Sequence, residues 1–159
     1  MSALDGEDLR ELMRGFPAGV CVLTVDVEGE RVGLTVGTAV SLSLSPPLVG
    51  VSISRQAAIH ELLRRAGAFA LSLLAGDQEA VAQHFARGVP PFAHWHGVAV
   101  REGAQGAPLL DGALGWVECR LAAEHEVGDH TLFVGEVVSA ERGRGGPALV
   151  HVGSRYVPV

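Results

Sequence analysis

Apolar, β-branched runs recur from Val20 to Val152 without regular alternation with helical segments, and this constrains the fold of the chain more than any other feature. A doubly wound parallel sheet needs a helix in nearly every crossover. The pattern therefore predicts a mainly β protein, a closed or nearly closed β-barrel with peripheral helices. Val20 to Val27 is β-branched and apolar, Glu28-Gly29-Glu30 makes a turn, and Arg31 to Val40 resumes the pattern, which reads as a hairpin. Pro46-Pro47 separates the alternating Ser41-Leu42-Ser43-Leu44 from the run Leu48-Val49-Gly50-Val51. Phe69 to Leu74, Leu114 to Glu124, Thr131 to Ala140 and Leu149 to Val152 supply further strands. Around them the spacing predicts helices over Asp5 to Arg14, over Ile59 to Ala66, and over Asp77 to Arg87 with Asp77 as the cap. Gly88 to Gly106, rich in Gly, Pro and His, reads as loop or weak strand. Gly143-Arg144-Gly145-Gly146 leads to Pro147 and a strand instead of a helix, so it is a turn and no dinucleotide fingerprint.

A chain of 159 residues with 48% apolar content has the material for one domain spanning 1–159. Its net charge of -6 offers no basic surface for nucleic acid or an anionic membrane. The first residues are acidic and polar, and no apolar run approaches the roughly 18 residues of a membrane span, so a cytoplasmic protein is expected. Cys21 and Cys119 lie far apart inside apolar segments and read as reduced core thiols.

Two features raise chemical questions. Between Gly33 and Ser54, serines and glycines interrupt what should be core, which fits either a sheet whose serines face water or a slot for a ligand. In the second, Gly128-Asp129 makes a turn that sets His130 at the start of a strand, either as an exposed histidine or as a chemical group. His94-Trp95-His96 would share a face in a strand, but no compact third ligand accompanies them and no metal site is expected. Trp95 and Trp116 read as packing residues, Trp95 also as a candidate border of a channel, and Tyr156 as a cover for a ligand or a neighbouring subunit.

Phe16-Pro17-x-Gly19-Val20, Gly33-Leu34-Thr35-Val36-Gly37-Thr38 and Val40-Ser41-Leu42-Ser43-Leu44-Ser45-Pro46-Pro47-Leu48 occur in an order that resembles the flavin reductase-like, FMN-binding split-barrel family. Gly106-Ala107-Pro108-Leu109-Leu110, Trp116-x-Glu118-Cys119, Gly128-Asp129-His130 and Gly135-Glu136-Val137 extend the resemblance over essentially the whole chain. It implies a split barrel that binds FMN, or FAD, and reduces it with NADH or NADPH. It also implies a homodimer and a flavin-dependent monooxygenase partner that receives the reduced flavin.

Carried onto this sequence, the resemblance assigns the flavin to Thr35, Val36, Gly37, Thr38, Ala39, Ser41, Leu42, Ser52 and Ser54. Small residues there let backbone approach a flat ring, and the hydroxyls supply donors. Arg55, Gln56 and Ala58 fall at the phosphate end, where a helix start attracts anions; Phe85 and Arg87 complete the set, Arg87 also fitting a helix C-terminal cation. His130 is the residue expected to meet the nicotinamide, positioning the donor and taking no proton from it. The chain departs from the family at Gly37-Thr38, where Asn or Ser followed by Ser is usual, and at Ala57-Ala58-Ile59, where Ser or Thr often precedes the helix. Its phosphate end thus carries fewer side-chain donors, and a flavin-storage protein or a barrel without ligand are the alternatives on the same fold.

Overall fold

The computed structural model describes residues 3–87 and 91–159. Among these the strands are β1 (Ala18–Gly19), β2 (Cys21–Val27), β3 (Glu30–Val36), β4 (Val40–Leu44), β5 (Pro47–Ser54), β6 (Ala68–Leu73), β7 (Val100–Glu102), β8 (Pro108–Leu110), β9 (Gly115–Val127), β10 (His130–Arg142), β11 (Leu149–Val152) and β12 (Arg155–Pro158). The helices are α1 (Gly6–Met13), α2 (Ala58–Ala66) and α3 (Glu79–Ala86). None of them is long and apolar enough to cross a membrane.

Seven strands form one antiparallel sheet in the order β3-β2-β6-β9-β10-β5-β4. Its two edge strands, β3 and β4, are neighbours in the chain, joined only by Gly37-Thr38-Ala39. Even fully extended, the link from Val36 to Val40 spans about 14 Å. The sheet must therefore curl until its edges nearly meet, which gives a barrel split along one seam. Strand β3 ends at Val36 and does not continue to Val40 as the β-branched pattern predicts, because the chain turns there from one edge to the other.

Burial follows the pattern of the sequence. β2 is buried on both faces: Leu23 and Val25 point into the barrel with Val51, Ile53, Phe69 and Phe133, while Val22 packs outside with Leu74, Phe85, Leu110 and Leu149. Ile59 and Leu63 of α2 close one end of the interior cluster. Burying each such side chain contributes roughly 1.5–3 kcal/mol. Thr24, the polar residue within this strand, donates its hydroxyl to the Pro108 carbonyl at 2.6 Å. Cys21 and Cys119 are both buried, unpaired thiols, as their apolar surroundings in the sequence predict.

Strands β9 and β10 form a hairpin that runs further than the apolar pattern predicts at its turn end, to Val127 and His130, and at the end of β10, to Arg142, while β9 begins one residue later than expected, at Gly115; the ladder has register shifts at Val134/Gly135 and Val137/Ser139. Its two-residue turn places Gly128 at φ 59, a conformation glycine adopts without strain and one that matches the twist of the strands. Asp5 and Asp8 form a capping box at the start of α1, in keeping with the acidic start expected there. At α3 the expected cap is displaced. The helix begins at Glu79 behind Gln78, which provides no side-chain cap, and Asp77 is instead ion-paired with Arg144.

Candidate active site

The seam is dressed by side chains on the β3 side. On the open side of β3, the Arg31 carbonyl accepts from Trp95 Nε1 at 2.8 Å, and the Gly33 N–H donates to His94 Nε2 at 2.9 Å. The Thr35 hydroxyl donates to the Ala82 carbonyl of α3 at 2.7 Å. His84 Nε2 in turn donates to the His94 carbonyl at 2.6 Å. An edge strand otherwise presents a row of unpaired backbone groups, and the Trp95 and His94 contacts to Arg31 and Gly33 take the place of a neighbouring strand there. Burial, reinforced by the nearby His84, holds the His94 ring below the usual histidine range, and a ring nitrogen that accepts from an N–H must be unprotonated.

The expected flavin residues line this seam but open onto three hollows. Thr35, Val36 and Gly37 border a cavity of 210 Å³ with Ala86, His151 and Tyr156. Ala39 and Ser41 border one of 370 Å³ whose walls include Cys21, Val49, Leu71 and Val117. Ala58, Phe85 and Arg87 border the largest of the three, 550 Å³, together with Leu62, His94 and Trp95. Leu42 borders none of them; it lies against Gly50, where a Cβ would stand 2.8 Å from its Cδ1.

Ser52, Ser54, Arg55, Gln56 and His130 gather at the end of β5 beside the β9–β10 turn. Thr38 acts there as a substitute strand residue, its hydroxyl donating to the Ser52 carbonyl at 2.9 Å and accepting the Ser52 N–H at 3.1 Å. Ser54 Oγ accepts the Gln56 N–H at 3.2 Å. The Arg55 guanidinium pairs with Glu126 and donates to the Gly128 carbonyl at 2.6 Å, which ties it to the hairpin turn. His130, half-buried, stands opposite Ser54 in the ladder, and its Nδ1 is 2.7 Å from Asp129 Oδ1. The hydrogen bond from His130 holds the Asp129 carboxyl below the usual range.

Helix α2 completes the arrangement. Its N-cap, Ala57, provides no side-chain hydrogen bond, so N–H groups at the helix start lack the partner that Ser or Asp would supply. His60, one turn in, is 2.7 Å from the Thr131 hydroxyl, with both residues buried. This bond fixes the helix start and His130, the neighbour of Thr131, in one frame. Sequence reasoning missed Gly33, His94 and Leu62 as parts of the site. A Cβ on Gly33 would stand 2.9 Å from the Phe85 ring, and only the unexplained glycine in a strand signals this contact.

The profile of the flavin reductase like domain matches residues 13–159. The chain belongs to the flavin reductase-like family. This flavin reductase-like protein is 40% identical over 150 residues to the reductase component of 4-hydroxyphenylacetate 3-monooxygenase from Thermus thermophilus, with 94% of each chain covered. It is 38% identical over 157 residues to an NADH-dependent FAD reductase from Streptomyces globisporus, covering 96% of this chain and 85% of that one. Its structure is similar to that of the flavin reductase component of a bacterial two-component tryptophan halogenase, with a TM-score of 0.88, 37% identity and 98% of each chain covered. The flavin reductase-like split barrel expected from the sequence is therefore the fold of this protein.

Proposed function

We propose that this protein is an NAD(P)H:flavin oxidoreductase that takes FMN or FAD and supplies the reduced flavin to a partner oxygenase. The observation that carries the reading is the uncapped start of α2, whose Ala57 N–H is bonded to the Ser54 carbonyl at the end of β5, together with the small residues Gly37, Thr38 and Ala39 at the seam, where Thr38 is bonded to Ser52 of the same strand. Such residues fit a flavin: backbone can approach a flat ring at the seam, and unpaired N–H groups at a helix start attract a phosphate. When bound, the flavin supplies a ring that accepts hydride from a nicotinamide. The N–H groups of Ala58 and Ile59 hold the phosphate, with Arg87 as the neighbouring cation, and the Gly37 to Ala39 backbone orients the ring. His130 meets the nicotinamide. Asp129 engages its Nδ1 and leaves Nε2 as the atom that contacts the donor. Two relatives named as the reductase components of a monooxygenase and a halogenase support a partner that consumes reduced flavin.

The reading includes a homodimer. β4 leaves Val40, Leu42 and Leu44 at 47%, 45% and 88% exposure, next to the apolar 370 Å³ hollow, and a second copy covers that face. Light scattering at micromolar protein should give twice the 16.6 kDa of one chain.

Titration with FMN and riboflavin, followed by quenching of flavin fluorescence, tests the central claim. Binding weaker than about millimolar, about 4 kcal/mol, would end it. NADH or NADPH should bleach the flavin added to the protein, whereas binding without bleaching would make the protein a flavin store. Replacing His130 with Ala should raise KM for the nicotinamide and leave flavin affinity unchanged.

A further inference from the structure

The turn that carries His130 stands at the outer end of the β9–β10 hairpin. Glu124 to Asp129 are all exposed, so packing does not fix the turn and hydrogen bonds must. Arg55, the residue that follows β5, supplies them from both its backbone and its side chain. Its N–H donates to the Asp129 carbonyl at 3.0 Å, its Nη2 donates to the Gly128 carbonyl at 2.6 Å, and its Nη1 pairs with the Glu126 carboxylate. Those two carbonyls belong to the peptide planes on either side of the Asp129 Cα. Each plane is rigid, so holding both sets the Asp129 dihedrals and with them the direction of its side chain. The Oδ1 of that side chain lies 2.7 Å from His130 Nδ1. Arg64 also reaches the hairpin, Nε and Nη2 to Glu124 at 3.1 and 2.7 Å, but its bonds end on Glu124 and Glu61 and on neither carbonyl of the turn.

We infer that Arg55 is a positioning residue for hydride transfer: it clamps the β9–β10 turn so that the Asp129 carboxylate stays on His130 Nδ1 and His130 Nε2 faces the nicotinamide. The inference rests on the reading that His130 meets the nicotinamide. It also moves Arg55 away from the flavin phosphate, the role that the family resemblance gives it, because both terminal nitrogens of the guanidinium are engaged by the hairpin. The phosphate is left to Arg87 and the start of α2. A guanidinium suits the clamp: its planar fork serves a carboxylate and a carbonyl at once, which a single ammonium on a flexible stem cannot do in the same geometry. Stability is not the main effect, since ion pairs between exposed side chains contribute little to folding.

Steady-state kinetics with NADH and FMN test the clamp through Arg55→Gln, His130→Ala and the double variant. Arg55→Gln should raise KM for NADH about fivefold and leave kcat and the affinities for FMN and riboflavin nearly unchanged, and Arg55→Lys should restore part of the loss. Because Arg55 acts through His130, the double variant should be no worse than His130→Ala alone. Arg64→Gln removes a comparable ion pair from the same hairpin and should leave KM as it is. In the ligand-free protein, deuterium uptake at the amide of residue 55, which is bonded to the turn, should quicken in Arg55→Gln and not in Arg64→Gln. Additive losses in the double variant, or an unchanged KM in Arg55→Gln beside a raised one in His130→Ala, would overturn the inference and leave the reductase reading standing. A loss of FMN affinity with riboflavin unaffected would return Arg55 to the phosphate and overturn it as well. An unmoved KM in His130→Ala would remove the nicotinamide contact and the inference with it. Failure of the unmodified protein to reduce any flavin would instead sink the reductase reading, and exchange at residue 55 would still decide whether Arg55 clamps the turn.

Discussion

Gly33 serves two neighbours at once: its N–H is the donor to His94, and its missing side chain is the space in which the Phe85 ring lies. Gly33→Ala would put a Cβ 2.9 Å from that ring, and overpacking of this kind costs about 1–3 kcal/mol. The expected result is a lower urea midpoint with an unchanged slope. His94 adds a pH dependence whose sign is fixed by its environment. Burial and His84 lower its folded pKa, so its contribution to stability is complete above the ordinary histidine value of about 6.5 and is lost as pH falls through that value toward the folded one. Urea midpoints measured from pH 7.5 to pH 5 should fall on the acid side, and His94→Gln should flatten the fall. Neither role could be read from the chain, where His94 is one ring of a His-Trp-His triplet and the partner that makes it an acceptor, Gly33, stands 61 residues away.

At the scale of elements, α2 shows how a missing residue can be informative. Its existence follows from the spacing of Ile59, Leu62 and Leu63, and Gly67 at φ 65 ends it, but its first turn lacks a cap. Ala57→Asp should supply one and raise the melting temperature of the ligand-free protein, a gain of about 1 kcal/mol. The same carboxylate occupies the N–H groups and repels an anion, so FMN should bind the variant more weakly while riboflavin is unaffected. Equal losses for both flavins would place the phosphate elsewhere. That cap site was legible in the sequence because a departure at Ala57-Ala58-Ile59 stands out against the family pattern. The start of α3 was not. Asp77 has the residue type and position of a cap, yet its partner Arg144 lies 67 residues away, and only the tertiary fold brings them together. The end of β3 was hidden for a similar reason: Val36 to Val40 contains no proline, and the turn there is imposed by the curl of the sheet.

For the whole molecule, the lack of strand and helix alternation was enough to exclude a doubly wound sheet, because that argument needs only the order of elements. The two hollows on the β3 side were not available, since they depend on how the end of α3, His94 and Trp95 settle against β3. The two thiols report on the integrity of the whole. Burial raises Cys21 to about 12, and burial with Glu118 raises Cys119 to about 12, so neither forms appreciable thiolate at neutral pH. Labelling by a disulfide reagent at pH 7.5 should therefore proceed only as fast as the barrel opens; rapid modification of either cysteine in the folded protein would contradict the buried placement. The split in the barrel also has a consequence in time. Strands β2, β6, β9, β10 and β5 have neighbours on both sides, whereas β4 has only β5, and the ladder between them is broken between Ser41 and Ser43. In heavy water the amides of residues 40–44 should take up deuterium first, those of β6 and β9 last, and a ligand lodged along the seam should slow the early group while leaving the late one unchanged.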